Sequence, residues 1–207
     1  MLFCVVLLGF LTTGCFAGTK YDSNSYIDTV LSKHVPNNVR VLKLDPAPLP
    51  DVQLKVKGKA NLTRGHLYGL SKLQRRGDCS APALKGKNVT LGCYVALDGL
   101  RSQFNFSAQG DPSFDSKKKY TVDLIVKNTN LFVEVTQQKP KSPFVKTVKV
   151  DKIPFNVTAS KPLDLNSKGW KALDASVKDG VEKGVRNALY GDFKKALQLS
   201  VKALQLP

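Results

Sequence analysis

The chain has 207 residues, with 32 Lys and Arg against 16 Asp and Glu, a formal charge of +16. Apolar residues make up 42% and charged residues 23%, the composition of a globular chain long enough to bury a core without metal or many disulfides. Collagen, mucin stalks and coiled-coil rods are excluded, and two His with four Cys leave little for metal chemistry.

Residues 1–17, MLFCVVLLGFLTTGCFA, contain no charged side chain. An apolar run from Leu2 to Leu11 precedes small and polar residues, and Cys15 and Ala17 suit a signal peptidase, so cleavage is expected before Gly18. The rival reading is a buried N-terminal strand, since no Lys or Arg precedes the run. Residues 18–207 are then expected to form a single secreted, extracellular domain. Cys4 and Cys15 leave with the leader. Cys79 and Cys93 remain, an even pair in an oxidising compartment, and are expected to bridge, with a free reactive thiol as the alternative. The bridge closes a loop of about 15 residues, a stabilisation of roughly 3 kcal/mol by chain entropy. Lys85-Gly86-Lys87 between them reads as a hairpin turn.

Residues 22–35 place Tyr26, Ile27, Val30, Leu31 and His34 at helical spacing, with Asp22 and Ser23 as capping residues and Pro36 as the stop. Residues 45–50, with three prolines, read as an extended linker. Residues 52–60 alternate cleanly as one strand: Val52, Leu54, Val56, Gly58 and Ala60 on one face, Lys55, Lys57 and Lys59 on the other. Further strands are expected at 64–76, 88–97, 102–108, 119–127, 130–137, 144–150 and 153–159, joined by short turns into an antiparallel meander.

From Trp170 through Leu173, Val177, Val181, Val185, Leu189, Phe193, Leu197 and Val201 to Leu204, apolar residues recur every three or four positions, one helical stripe. A helix of about 37 residues runs roughly 55 Å. Gly180, Gly184 and Gly191 weaken it by about 1 kcal/mol each. Either a neighbour approaches closely at these glycines, or the helix breaks near Gly191. A long amphipathic helix beside amphipathic strands predicts an α+β body: a curved antiparallel sheet wrapped around the C-terminal helix, with a short N-terminal helix.

Read in order, the chain resembles the mite group 7 allergens and, more distantly, the takeout and juvenile-hormone-binding proteins of arthropods. These belong to the tubular lipid-binding superfamily that includes the bactericidal permeability-increasing proteins. The resemblance rests on the block Gly69-Leu70-Ser71-Lys72-Leu73-Gln74-Arg75-Arg76-Gly77-Asp78, on Leu49-Pro50-Asp51, on Lys57-Gly58 and on the Lys-rich terminal helix. It implies a sheet wrapped on a long helix, a hydrophobic groove or tunnel for a lipid-like ligand, and no catalysis.

The residues agree on the last point. His34 and His66 are the two imidazoles, the first read as a helix-end residue and the second as a surface residue. No nucleophile elbow, zincin motif, phosphate-cradling loop or zinc-spaced Cys cluster is present, so no catalytic residue, metal or cofactor is expected. The expected partner is a hydrophobic or amphiphilic small molecule. Its lining candidates are the inward strand residues Leu54, Val56, Val95, Leu97, Val122 and Leu124 with Trp170, Leu173, Val177 and Val181 of the helix. The same pattern describes any filled core.

Two other readings stand beside it. The basic residues are 26 Lys and 6 Arg. Lys lacks the planar fork that reads bases, which argues against specific nucleic-acid recognition and for a heparin-like polyanion or anionic membrane. Lys55, Lys57 and Lys59 would form one cluster, Lys117, Lys118 and Lys119 another. Arg76-Gly77-Asp78, next to Cys79, has the form of an integrin-binding adhesion motif. Acceptor sequons at Asn61, Asn88, Asn105 and Asn156 predict glycosylation at solvent-facing positions.

Overall fold

The structure is a computed structural model that describes residues 18–54, 59–109, 120–160 and 167–207, the side chains of 59, 108, 109, 167–170, 172 and 173 excepted. Among the described residues it is an α+β fold of two antiparallel sheets and two helical segments. No described helix is long and apolar enough to cross a membrane.

The chain enters α1 (Lys20–Thr29) through a capping box: Asp22 N–H donates to Thr19 Oγ1 at 3.2 Å, and Thr19 N–H donates to the Asp22 carboxylate at 2.7 Å. The cap is thus Thr19, upstream of the expected Asp22 and Ser23. The helix also does not stop at Pro36. A π-turn at Val30–His34, closed by Val35 N–H onto the Val30 carbonyl, leads into α2 (Val35–Val41). Pro36 then falls directly after the π-turn, whose wider spacing accommodates the ladder bond that its missing N–H cannot make. His34 therefore sits inside a continuous helical segment and not at its end.

Of the extended linker expected at 45–50, Asp45 and Pro46 form a turn, and the residues that follow are more than a linker. Ala47–Leu49 (β1) pairs antiparallel with β3 (Lys59–Tyr68) and places Pro48 opposite His66 on an edge strand, which tolerates its absent donor. The single strand expected at 52–60 is two strands. β2 (Val52–Leu54) pairs with β3 in the register Val52↔Leu62, Gln53↔Asn61 and Leu54↔Ala60, so the chain reverses between Leu54 and Lys59. Both arms of the hairpin bury apolar residues at alternate positions, and uninterrupted alternation in sequence conceals the reversal. The strand expected at 64–76 is also divided. Gly69, at φ 100°, takes the left-handed turn that Leu70–Lys72 continues as a short 3-10 turn, and β4 (Gln74–Arg76) follows.

β5 (Ala83–Lys85) is expected only as an arm of the hairpin at Gly86, and the remaining strands match their expected positions: β6 (Asn88–Ala96), β7 (Arg101–Gln109), β8 (Tyr120–Val126), β9 (Asn130–Gln137), β10 (Phe144–Val150) and β11 (Phe155–Ala159). β5 and β6 form the hairpin across Gly86, and Cys79–Cys93 is a disulfide with Cα atoms 4.3 Å apart. The topology is not one meander. Sheet A runs β1-β3-β7-β8-β11 with β2 also on β3; sheet B runs β10-β9-β6-β4 with β5 also on β6. The chain crosses between sheets after β3, β6, β8 and β10. Short connections favour neighbours without fixing which sheet the neighbour joins, and that is why the simpler topology failed.

The terminal stripe is a continuous helical segment: α3 (Ser167–Ala188), a π-turn at Leu189–Phe193, and α4 (Lys194–Val201). Of the two explanations of the glycines, close approach holds at Gly180 and Gly184, and the helix does not break near Gly191 but widens there into the π-turn. A Cβ on Gly180 would meet Val52 Cγ1 at 2.2 Å, and one on Gly184 would meet Pro50 at 3.3 Å, so β2 and its approach lie hard against α3. Gly191 faces open space within the π-turn. Along the helix α3 lies beside β1 and β2 at one edge of sheet A and beside β11 at the other, while α4 packs on β10 and α2. The Tyr26 hydroxyl donates to the Val201 carbonyl at 3.1 Å and ties α1 to α4; burial pushes its phenol pKa up.

Candidate functional site

The expected lining residues whose side chains are described are Leu54, Val95, Leu97, Val122, Leu124, Val177 and Val181. All belong to one apolar interior, each at most 4% exposed. Their strands supply them by alternation: Val122 and Leu124 point inward from β8, Val95 from β6, and Val177 and Val181 from the buried stripe of α3. Val185, Leu189, Phe193 and Leu197 continue that stripe. Trp170 and Leu173 lie in the first turns of α3 with side chains outside the described residues; Val56 is outside them altogether.

The surface clefts are lined by different residues. One, about 620 Å³, lies on sheet B between Tyr94, Phe132, Asn130, Lys149, Asp151 and Lys152. Its floor is the Tyr94–Phe132 pair, rings 5.3 Å apart and tilted, with Tyr94 half exposed. Sequence reasoning did not single out this corner. The signal was present: Tyr94 and Phe132 occupy the outward positions between Cys93, Val95, Leu131 and Val133, which are buried. A second cleft, about 470 Å³, separates α2 from Asp45 and Ser71. Among the described residues no three His, Cys, Asp or Glu side chains gather in a group that could hold a metal ion.

Arg76-Gly77-Asp78 forms a surface turn with Gly77 at φ 65°. Both of its charges are committed within the chain. Arg76 pairs with Asp98, and the Asp78 carboxylate accepts from Asn24 Nδ2 at 2.9 Å and lies 3.9 Å from Arg75. Arg75 in turn donates to both oxygens of Asp28, at 3.0 and 2.9 Å. The Cys79 N–H donates to Asn24 Oδ1 at 2.8 Å, so one asparagine holds the turn to α1 from both sides. This is the geometry of a structural clasp between α1, β4 and the disulfide.

Lys55, Lys57, Lys117, Lys118 and Lys119 lie outside the described residues, as does the side chain of Lys59. The common face assigned to Lys55, Lys57 and Lys59 assumed one strand through 52–60, and the β2–β3 hairpin removes that assumption. The described lysines gather elsewhere. Lys85, Lys87, Lys139, Lys141, Lys146, Lys149 and Lys152, on or beside sheet B, are all exposed. Lys146 and the Thr147 hydroxyl both contact Glu134, and the Thr147 hydrogen bond foremost holds that carboxyl below its ordinary range against the opposing effect of burial. Of the sequon asparagines, Asn61, Asn105 and Asn156 are exposed on sheet A and Asn88 is half buried on sheet B.

No family model and no curated protein matches the chain. Among solved structures, the crystal structure of Epiphyas postvittana Takeout 1 is similar, at 16% identity and a TM-score of 0.41 over 86% of this chain and 92% of that one.

Proposed function

We propose that the chain is a secreted, non-enzymatic binding protein for a lipid-like or amphiphilic ligand, with sheet A curved around α3. The observation that carries this reading is the position of α3. One helix lies beside β1 and β2 at one edge of sheet A and beside β11 at the opposite edge. A sheet five strands across, about 19 Å from first strand to last when flat, brings both margins to one helix by curling over it. The apolar stripe of α3 and the inward residues of β8 then face a common interior, the setting in which an apolar ligand is held. The apolar leader expected at residues 1–17 and the disulfide support an extracellular setting.

Native mass spectrometry of the secreted protein, with organic extraction of what it carries, tests the reading. The expected result is a co-purifying acyl or isoprenoid species, or saturable uptake of a fluorescent fatty acid by the stripped protein. A protein that carries nothing and takes up no fluorescent fatty acid rejects it.

Anionic-surface binding is the second reading, and the lysines of sheet B favour it. Seven exposed lysines on or beside sheet B create a positive field that reaches about 8 Å at physiological ionic strength. Replacing Lys85, Lys87, Lys149 and Lys152 together by Gln is expected to move elution from heparin to lower salt with the unfolding midpoint unchanged. Equal elution of variant and parent rejects sheet B as the contact surface.

A further inference from the structure

We infer that the outward face of sheet A is a glycosylated face, carrying N-linked glycans at Asn61, Asn105 and Asn156, and that the fourth sequon, Asn88, stays bare. The inference rests on the secretion reading above and goes beyond it by assigning which sites are used.

The strand register brings the three sites together. Asn61 of β3 stands opposite Ser107 of β7, and Asn105 of β7 stands opposite Thr63 of β3. The two asparagines are therefore diagonal neighbours on one face, about 7–8 Å apart. Asn105 also faces Thr121 of β8, and Asn156 of β11 faces Ile125 of β8, so the third site lies two strands over on the same sheet. Alternation sets the direction of all three. Their neighbours Leu62, Phe106 and Phe155 are buried at 0%, 3% and 6% exposure, and the asparagines point the other way. No hydrogen bond ties any of the three side-chain amides to another described residue. The sequon hydroxyls are open as well: Ser107 and Thr158 are exposed and Thr63 is partly so.

The face has an unusual composition for this chain. Of 26 lysines, none is among the described side chains on it, although Lys59 stands at its end by register. Two guanidiniums stand there: Arg101 is occupied by Asp123 at 3.4 Å and by the Tyr68 ring at 5.3 Å, and Arg64 is exposed at the β3 bulge between Thr63 and His66. Around the three asparagines themselves the register neighbours are Ser107, Thr63, Thr121 and Ile125, uncharged surface over which a neutral glycan lies without stranding a charge.

Asn88 differs in a way that matters to the transfer reaction. In that reaction the asparagine nitrogen attacks the anomeric carbon of an oligosaccharide held on a lipid diphosphate. The carbon–nitrogen bond forms as the bond from the anomeric carbon to the diphosphate oxygen breaks. The lipid diphosphate leaves with that electron pair, and one amide proton passes to base. The hydroxyl two residues on must be accessible for the sequon to be recognised. For Asn88 that hydroxyl is Thr90, 6% exposed and hydrogen-bonded to Thr136 Oγ1 at 3.0 Å across β6 and β9. Pairing of β6 with β9 thus withdraws the recognition element, and sheet B closure competes with transfer at Asn88.

Glycopeptide mapping tests this on the full chain, secreted from a eukaryotic cell with its own residues 1–17. Enzymatic glycan release in heavy-oxygen water marks each formerly occupied asparagine as a heavy aspartate. The expected marks are at 61, 105 and 156, each at higher occupancy than 88. Occupancy at Asn88 equal to that of any of the three overturns the inference. So does secreted protein beginning near Gly18 with all three sites bare, an outcome that leaves the secretion reading intact. Protein that keeps residues 1–17 and carries no sugar overturns both.

Discussion

Replacing Cys79 and Cys93 together by Ala is expected to cost about 3 kcal/mol of unfolding free energy, read as a lower urea midpoint with an altered denatured state. The crosslink joins residues 14 apart, and a loop of that size removes roughly this much chain entropy from the unfolded ensemble. The local structure adds to the effect. Both cysteines are 1% exposed and pack in the core, so truncation also leaves space there. Cys79 N–H is held by Asn24 of α1, whose side-chain amide also holds Asp78, and Arg75 holds Asp28 of α1 from the adjacent strand. The bridge therefore anchors the N-terminal helix to sheet B as well as β6 to the segment before β5. Reduction of the parent protein is expected to lower its midpoint by a similar amount and to leave the double variant unchanged. A variant as stable as the oxidised parent refutes this account.

Much of this arrangement was legible because it depends on local pattern. The disulfide followed from compartment and parity, β6 to β10 from alternation, and the terminal helix from its stripe. Of the two alternatives for the glycines of that helix, close approach applies, as at Gly180 against the Val52 side chain, whereas at Gly191 the helix widens into a π-turn and does not break. What escaped the sequence depends on pairing between distant residues. The 52–60 alternation reads the same for one strand as for two arms of a hairpin, and only the register Leu54↔Ala60 separates them. Pro36 is a sound helix stop unless a wider turn precedes it, and nothing in Val30–His34 announces a π-turn. The division of the eleven strands among the described residues between two sheets rests on four crossings whose connections look like ordinary turns. Site residues followed the same rule. Inward positions such as Leu124 and Val181 were identifiable by period, whereas the Tyr94–Phe132 corner required knowing that β6 and β9 are neighbours.

The same dependence on distant pairing makes Asp45 a critical residue that its sequence context does not advertise. It follows α2, and its carboxylate reaches across to the turn between β3 and β4. Oδ1 accepts from Gly69 N–H at 2.9 Å; Oδ2 accepts from Ser71 N–H at 3.0 Å and from the Ser71 hydroxyl. These bonds satisfy two part-buried backbone donors exactly where the chain leaves sheet A for sheet B. Asp45→Ala is expected to destabilise by about 3 kcal/mol, since hydrogen bonds to a charged group contribute about 1.5–3 kcal/mol each and this site is partly open to water. Asp45→Asn, which keeps one acceptor oxygen, is expected to lose about half of that. Burial pushes the carboxyl pKa up, but the Ser71 hydroxyl, the Gly69 and Ser71 amides and the charge of Lys72 together outweigh it, and the pKa lies below the ordinary carboxylate value. A depressed folded-state pKa means that the stabilisation is complete above the unfolded value, near 4, and is lost as pH falls through the folded value. The difference between parent and Asp45→Ala should therefore be full at neutral pH and shrink on acidification below about pH 4. Urea midpoints measured for both proteins across that range decide it. A difference that stays constant into acid shows that Asp45 acts by packing and not by its charge.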